Sequence, residues 1–147
     1  MLFRSQQEGY VYQHRPGFRV QLPESVGVAE FHRDRDYNHP AGEINFTVPL
    51  TRAIDTSAMW IESQPGSEDY HPVNLEYGEV ARFDGNRCRH GNKINATGQT
   101  RISFDFRLLS VDDYRRSDPR RSFAADLPFT IGGYYRLEEG SAHPGRT

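Results

Sequence analysis

Two stretches of the chain alternate cleanly between apolar and polar positions. In residues 43–50, Ile44, Phe46, Val48 and Leu50 share one face, and Glu43, Asn45 and Thr47 share the other. In residues 100–109, Ile102, Phe104, Phe106 and Leu108 oppose Arg101, Ser103, Asp105 and Arg107. Alternation with period two predicts strands, because successive side chains leave opposite faces of the pleat. It leaves open which face is covered. A polar face either lines a pocket inside a small barrel or meets water.

Weaker versions of the pattern surround these two. Residues 9–22 hold two runs, Tyr10 and Tyr12, then Phe18, Val20 and Leu22, around Pro16-Gly17. Residues 26–31, 57–63, 73–77, 79–83 and 89–94 read as short strands, separated by clusters of Gly, Pro, Asn and Asp. Residues 95–99, with Gly98, read as a hairpin-like connection. Residues 111–121 are charged and read as a short helix. Residues 123–137 read as an irregular arm containing Gly132, Gly133, Tyr134 and Tyr135. Short strands without a long helix predict an all-β fold, a barrel or a sandwich. The chain reads as a single domain over residues 1–147. Its core is about 9–110, its arm about 111–137 and its disordered tail 138–147, after a polar lead-in over 1–8.

Composition narrows the class. The 147 residues suffice for one modest core, and a hydrophobic fraction of 35% makes that core lean. A net charge of -2 argues against a general nucleic-acid binder, and the cluster Arg115, Arg116, Arg120 and Arg121 reads as a solvated face. Cys88 is the single cysteine, so neither an intramolecular disulfide nor a cysteine-based zinc site is expected. No stretch approaches the roughly 20 apolar residues of a membrane span. Residues 1–6 lack the apolar segment of a secretory signal. A cytoplasmic protein with no membrane or nucleic-acid partner is expected, and an exposed apolar sheet would favour a homodimer.

The candidate chemistry lies in Phe31-His32-Arg33-Asp34-Arg35-Asp36-Tyr37-Asn38-His39. His32 and Asp34 are two apart, which on a strand places both on one face. His90 comes much later, ahead of another strand-like run. Two imidazoles and one carboxylate can cap one face of an octahedral metal and leave three positions open, as in non-haem Fe(II) oxygenases. A register slip would substitute Asp36 or His39. Arg101 and Ser103 share a strand face, and a guanidinium fork beside a hydroxyl suits a carboxylate. The alternative is an ion pair of Arg101 with Asp105. Asn45, Trp60, Arg19 and Arg107 are weaker candidates for the lining of a pocket, and Trp60 suits a core position equally well.

In this order, His32-x-Asp34, His90 and Arg101-x-Ser103 resemble the 2-oxoglutarate/Fe(II)-dependent dioxygenases built on a double-stranded β-helix, the jelly-roll or cupin-like core. The phrases Phe31-His32-Arg33-Asp34, Gly42-Glu43-Ile44-Asn45-Phe46, Val48-Pro49-Leu50-Thr51, His90-Gly91-Asn92 and Arg101-Ile102-Ser103-Phe104 are similar, more narrowly, to the small bacterial oxygenase-like proteins of streptomycin-type biosynthetic clusters. The resemblance covers about residues 10–110. It implies Fe(II) on His32, Asp34 and His90, 2-oxoglutarate held by Arg101 with Ser103, and oxidation of a small polar metabolite. Members of that class usually carry N-terminal helices that buttress the larger sheet, whereas here the first strand begins almost at once. Two other readings stay open. One is a cupin-type isomerase, epimerase or lyase with His32 or His90 as general base. The other is a jelly-roll module that only binds.

Overall fold

The computed structural model describes residues 9–27, 30–118, 121–122 and 126–138. The polar lead-in, Arg120 and the tail beyond Glu138 lie outside these residues. Among the described residues the chain is all-β: β1 (Tyr10–Gln13), β2 (Gly17–Gln21), β3 (Ile44–Pro49), β4 (Met59–Ile61), β5 (His71–Val73), β6 (Ala81–Phe83), β7 (His90–Asn92), β8 (Arg101–Ser110) and β9 (Tyr135–Glu138), with one α-helix, α1 (Val111–Arg116). No helix among the described residues is long and apolar enough to cross a membrane.

The strands form two antiparallel sheets. The larger runs β6-β3-β8-β1-β9, and β2 pairs with β8 beside β1. The smaller runs β5-β4-β7. The ten residues of β8 are the spine of the large sheet. One side of β8 takes β3, the other takes β2 and then β1.

Register decides what each face carries. Phe46 lies opposite Phe106, Val48 and Phe18 lie opposite Phe104, and Val20 lies opposite Ile102, all on the face turned away from the small sheet. Asn45 opposite Arg107, Thr47 opposite Asp105, and Gln21 opposite Arg101 are on the face turned toward it. The polar faces of β3 and β8 therefore point inward, and Glu43, Asn45, Arg101 and Ser103 are buried. The compact apolar cluster sits at one end, where Val11, Leu109 and Val111 pack with Phe129, Tyr134 and Tyr135.

Four local expectations are corrected. Residues 26–31 form no strand among those described; His32 makes only an isolated antiparallel bridge with His90. Residues 95–99 do not close a hairpin, since β7 pairs with β4 and β8 with other strands. They are a crossover between sheets, held by buried Asn95, which donates to Gln99 O at 2.7 Å and accepts from Thr97 N. The strand expected over 73–77 lies earlier, at His71–Val73, and Leu75 makes only a bridge to Ala53. The arm, expected to be irregular, supplies β9, which pairs with β1 at the sheet edge.

Helix α1 stops after six residues. Ser110 caps it by accepting from Asp113 N, acids occupy its first turn and arginines its last, as the helix dipole favours.

Candidate metal centre

His32 and Asp34 are brought to His90 by backbone pairing. His32 N donates to His90 O at 3.0 Å, and His90 N donates to His32 O at 2.9 Å. Such an exchanging pair holds two residues side by side. The approach is close because residue 91 is glycine: a Cβ there would lie 3.0 Å from the backbone N and Cα of Phe31. Asp34 opens a 3-10 turn over Asp34–Tyr37, and its own N–H is anchored on Gly85 O at 2.8 Å. The sequence pattern put His32 and Asp34 on one strand face; a bridge followed by a tight turn places them instead.

One ligand atom from each of His32, Asp34 and His90 lies within 4.8 Å of the others. Each Nε2 stands 3.6 Å from Asp34 Oδ1. The far side of each ring is fixed: His32 Nδ1 donates to Glu30 O at 2.7 Å and His90 Nδ1 donates to Cys88 O at 3.1 Å. A carbonyl can only accept, so both Nδ1 atoms carry hydrogen and both neutral rings turn an Nε2 lone pair toward the carboxylate. Three electron-pair donors facing one another repel. The arrangement calls for positive charge among them, either a proton on His32 or a cation.

The Asp34 carboxylate divides its work. Oδ2 accepts from Asn45 Nδ2 at 2.6 Å and from Arg107 Nε at 2.8 Å, which leaves Oδ1 to the histidines. Burial opposes ionisation of Asp34, but His32, Arg107 and His90 outweigh it and hold the group well below the usual carboxylate range. The hydrogen bond with Asp34 raises the pKa of His32, whereas burial lowers that of His90. Arg107 is fastened from behind by Gln13 Oε1 and the Tyr134 hydroxyl oxygen.

The alternative ligands are placed elsewhere. Asp36 is exposed and paired with Arg33 at 3.1 Å. His39 belongs to a second group with Asp34 and Glu43. There His39 Nδ1 meets Glu43 Oε2 at 2.7 Å, the Tyr135 hydroxyl donates to Glu43 Oε1, and Asp34 Oδ2 is already taken. That second group is a closed hydrogen-bond network. The His32, Asp34 and His90 atoms are not closed off in this way.

A cavity of ≈ 90 Å³ opens between the sheets. His32 and His90 line it together with Arg101, Ser103, Arg19, Asn45 and Arg107. By volume it takes a small acid or a few waters. Arg101 enters from β8 with three donors used, Nε to Ser57 O, Nη1 to Ser103 Oγ and Nη2 to Gln21 Oε1. A guanidinium has five N–H groups, so two remain for a ligand. The alternative, an Arg101–Asp105 pair, does not form; Asp105 takes Arg19 at 2.7 Å. Trp60 is not in the lining. It sits on the far face of β4, donating to Asp55 O beneath the Lys93 ammonium. Thr47, on the polar face that the sequence offered as a pocket lining, is in the cavity wall; Gln21, Met59 and Asn92 also line or support the site, and sequence reasoning passed over them. Gln21 carried a signal, two positions from Arg19 on the polar face of β2; Met59 and Asn92 carried none.

The fold thus defines an all-β protein with a His-Asp-His cluster between two sheets. The chain is 45% identical over 123 residues to the streptomycin biosynthesis protein StrG of Streptomyces griseus, a match over 84% of this chain and 58% of StrG. It spans somewhat more than half the length of that relative. No protein-family model matches. Among solved structures it is similar to the non-heme monooxygenase ThoJ in its nickel complex, with TM-score 0.55, 14% identity, and 70% of this chain against 45% of that one. It is similar to EvdMO1 with TM-score 0.52, 22% identity and coverage of 69% and 28%. AviO1 from Streptomyces viridochromogenes Tue57 gives TM-score 0.50, 23% identity and coverage of 69% and 52%. These three likenesses show a shared fold.

Proposed function

We propose that this chain is a non-haem Fe(II) oxygenase that uses 2-oxoglutarate to oxidise a small polar metabolite, and that its two sheets are the halves of a double-stranded β-helix. The observation that carries the reading is the convergence of His32 Nε2, His90 Nε2 and Asp34 Oδ1, with the two imidazoles on the cavity wall, the Asp34 carboxylate buried beside them, and both imidazole tautomers fixed from behind. Two neutral imidazoles and a carboxylate suit a divalent first-row metal. The likeness in fold to ThoJ, a non-heme monooxygenase solved with nickel, supports the reading, as does the similarity to a streptomycin biosynthesis protein.

His32, Asp34 and His90 would hold the iron. Arg101, braced by Ser103 and Gln21, offers its remaining N–H groups to the distal carboxylate of 2-oxoglutarate. Dioxygen would be the oxidant, with two of its four electrons drawn from 2-oxoglutarate, which becomes succinate and carbon dioxide, and two from the substrate; iron would activate it, and the chain would orient these groups and limit access to the site. Arg107 and Asn45 keep the Asp34 carboxylate ionised and turned to the metal.

The test is anaerobic addition of Fe(II) and then 2-oxoglutarate. A weak charge-transfer absorption band should appear, and His32→Ala should abolish it. Absence of both the band and iron uptake overturns the proposal. Turnover of a substrate without oxygen or 2-oxoglutarate would instead select the cupin-type isomerase reading.

A further inference from the structure

Arg101 is a buried cation without a counter-charge. Three guanidiniums line the cavity between the sheets, those of Arg19, Arg101 and Arg107. Arg19 is matched by Asp105 at 2.7 Å and Arg107 by Asp34 at 2.8 Å. Arg101, only 7% exposed, pairs with no carboxylate among the described residues. Its partners, Ser57 O, Ser103 Oγ and Gln21 Oε1, are all neutral. An unmatched charge in a buried place is costly and calls for an anion.

Gln21 keeps that charge free. Its Nε2 donates to Lys93 O at 2.8 Å and to Ser25 O at 3.1 Å. A carbonyl can only accept, so the amide is oriented with Oε1 toward Arg101. A carboxylate at residue 21 would neutralise Arg101 but would meet those two carbonyls without a hydrogen to give them.

We propose that this wall of the cavity is a receptor for a small carboxylate that works without a metal, with Arg101, Ser103 and Arg19 as its grip. Register sets the three side by side: Arg19 lies opposite Ser103, and Gln21 opposite Arg101. Arg101 has two N–H groups left. Ser103 Oγ accepts from Arg101 Nη1 at 2.6 Å, so its hydroxyl hydrogen is free to donate. Arg19 uses Nε and one N–H of Nη2 on Asp105, at 2.7 and 3.4 Å, which leaves three. Donors from two arginines and a hydroxyl therefore meet on one wall, and hydrogen bonds from a cation to a carboxylate are the strong kind. The anion is held by charge already in the protein, apart from His32, Asp34 and His90. The proposal shares Arg101 with the reading above and rests on that reading only for the choice of a dicarboxylate as probe.

The test is calorimetric titration of the full chain, stripped of metal by a chelator, with glutarate and with neutral glutaramide as the control. Glutarate has no keto group with which to chelate iron, so it reports the grip alone. Glutarate should bind and glutaramide should not. Arg19→Gln by itself would bare the Asp105 carboxylate, so it is combined with Asp105→Asn, which leaves the net charge of the wall unchanged. The double variant should bind glutarate about tenfold or more weakly, the share of hydrogen bonds to a charged group. Ser103→Asp should abolish binding without lowering the thermal midpoint, because Arg101 then has its counter-charge. Should Ser103→Asp not fold, the double variant carries the test. No binding of glutarate by the metal-free chain overturns the proposal, as does equal binding of glutaramide. An affinity that the double variant leaves intact overturns the two-arginine grip. Glutarate binding by a chain that takes up no iron upholds the receptor and overturns the oxygenase reading alone.

Discussion

Arg107 holds Asp34 by one oxygen only. Its Nε donates to Oδ2 at 2.8 Å, while Oδ1 faces both histidine Nε2 atoms at 3.6 Å. The guanidinium therefore fixes the orientation of the carboxylate as well as its charge. Arg107→Met leaves the Asp34 carboxylate buried without its permanent cation, which costs about 3–5 kcal/mol. Fe(II) affinity should fall about 10–100-fold, the usual effect of losing a group that orients a ligand. Added Fe(II) should restore part of the lost stability, because the metal replaces the missing positive charge. Thermal unfolding with and without Fe(II) checks both effects.

Gly91 sets the distance between the His32 segment and β7. A Cβ at residue 91 would press on the Phe31 backbone at 3.0 Å. Gly91→Ala should therefore push His32 away from His90. Calorimetric titration is expected to show Fe(II) binding weakened at least about tenfold, because metal sites demand ligand placement within about 0.5 Å. An unchanged affinity would show that the loop yields without moving His32.

Arg101 lies apart from the proposed ligands His32, Asp34 and His90 in the hydrogen-bond network, joined to Ser57, Ser103 and Gln21. Arg101→Gln should leave Fe(II) affinity within a few-fold of wild type. It should weaken 2-oxoglutarate by about 2–3 kcal/mol, the loss expected for a charge-assisted clamp. The readout is the concentration of 2-oxoglutarate needed to bring up the absorption band anaerobically.

The tyrosines of the arm predict a loss of stability in alkali. Burial, and after it the Glu43 carboxylate, raises the pKa of Tyr135 well above its ordinary 10.0; burial also raises that of Tyr134. Both stay neutral in the fold while the unfolded chain ionises near 10.0. Their contribution is complete below that value and is lost as pH rises past it, at about 1.4 kcal/mol per pH unit for each group. Urea unfolding at about pH 8 and about pH 11, either side of the ordinary tyrosine value, should show the drop. Tyr135→Phe should lessen it by one group's share.

The sequence determined much of this protein by local rules. Period-two alternation marked β3 and β8, because strand geometry alone separates two faces. The residue types and order of His32, Asp34, His90 and Arg101 named a candidate site. The arm was misread because the strand character of β9 comes from pairing with β1, which no local signal carries. Trp60 looked suited to a pocket, but the register of β4 turns it outward, opposite Pro72 and Gly91.

Tertiary structure alone decided which faces look inward. The same alternation describes a polar face in water and a polar face lining a cavity, and the sheet placed opposite selects between them. Here the small sheet and the His32 bridge lie over the polar face, so buried Asn45 and half-buried Arg107 hold Asp34 while Phe18, Val20 and the stacked phenylalanines turn outward. Ligand convergence is equally non-local: His32 and His90 meet through a single backbone bridge between distant segments, and Gly91 leaves the room for it.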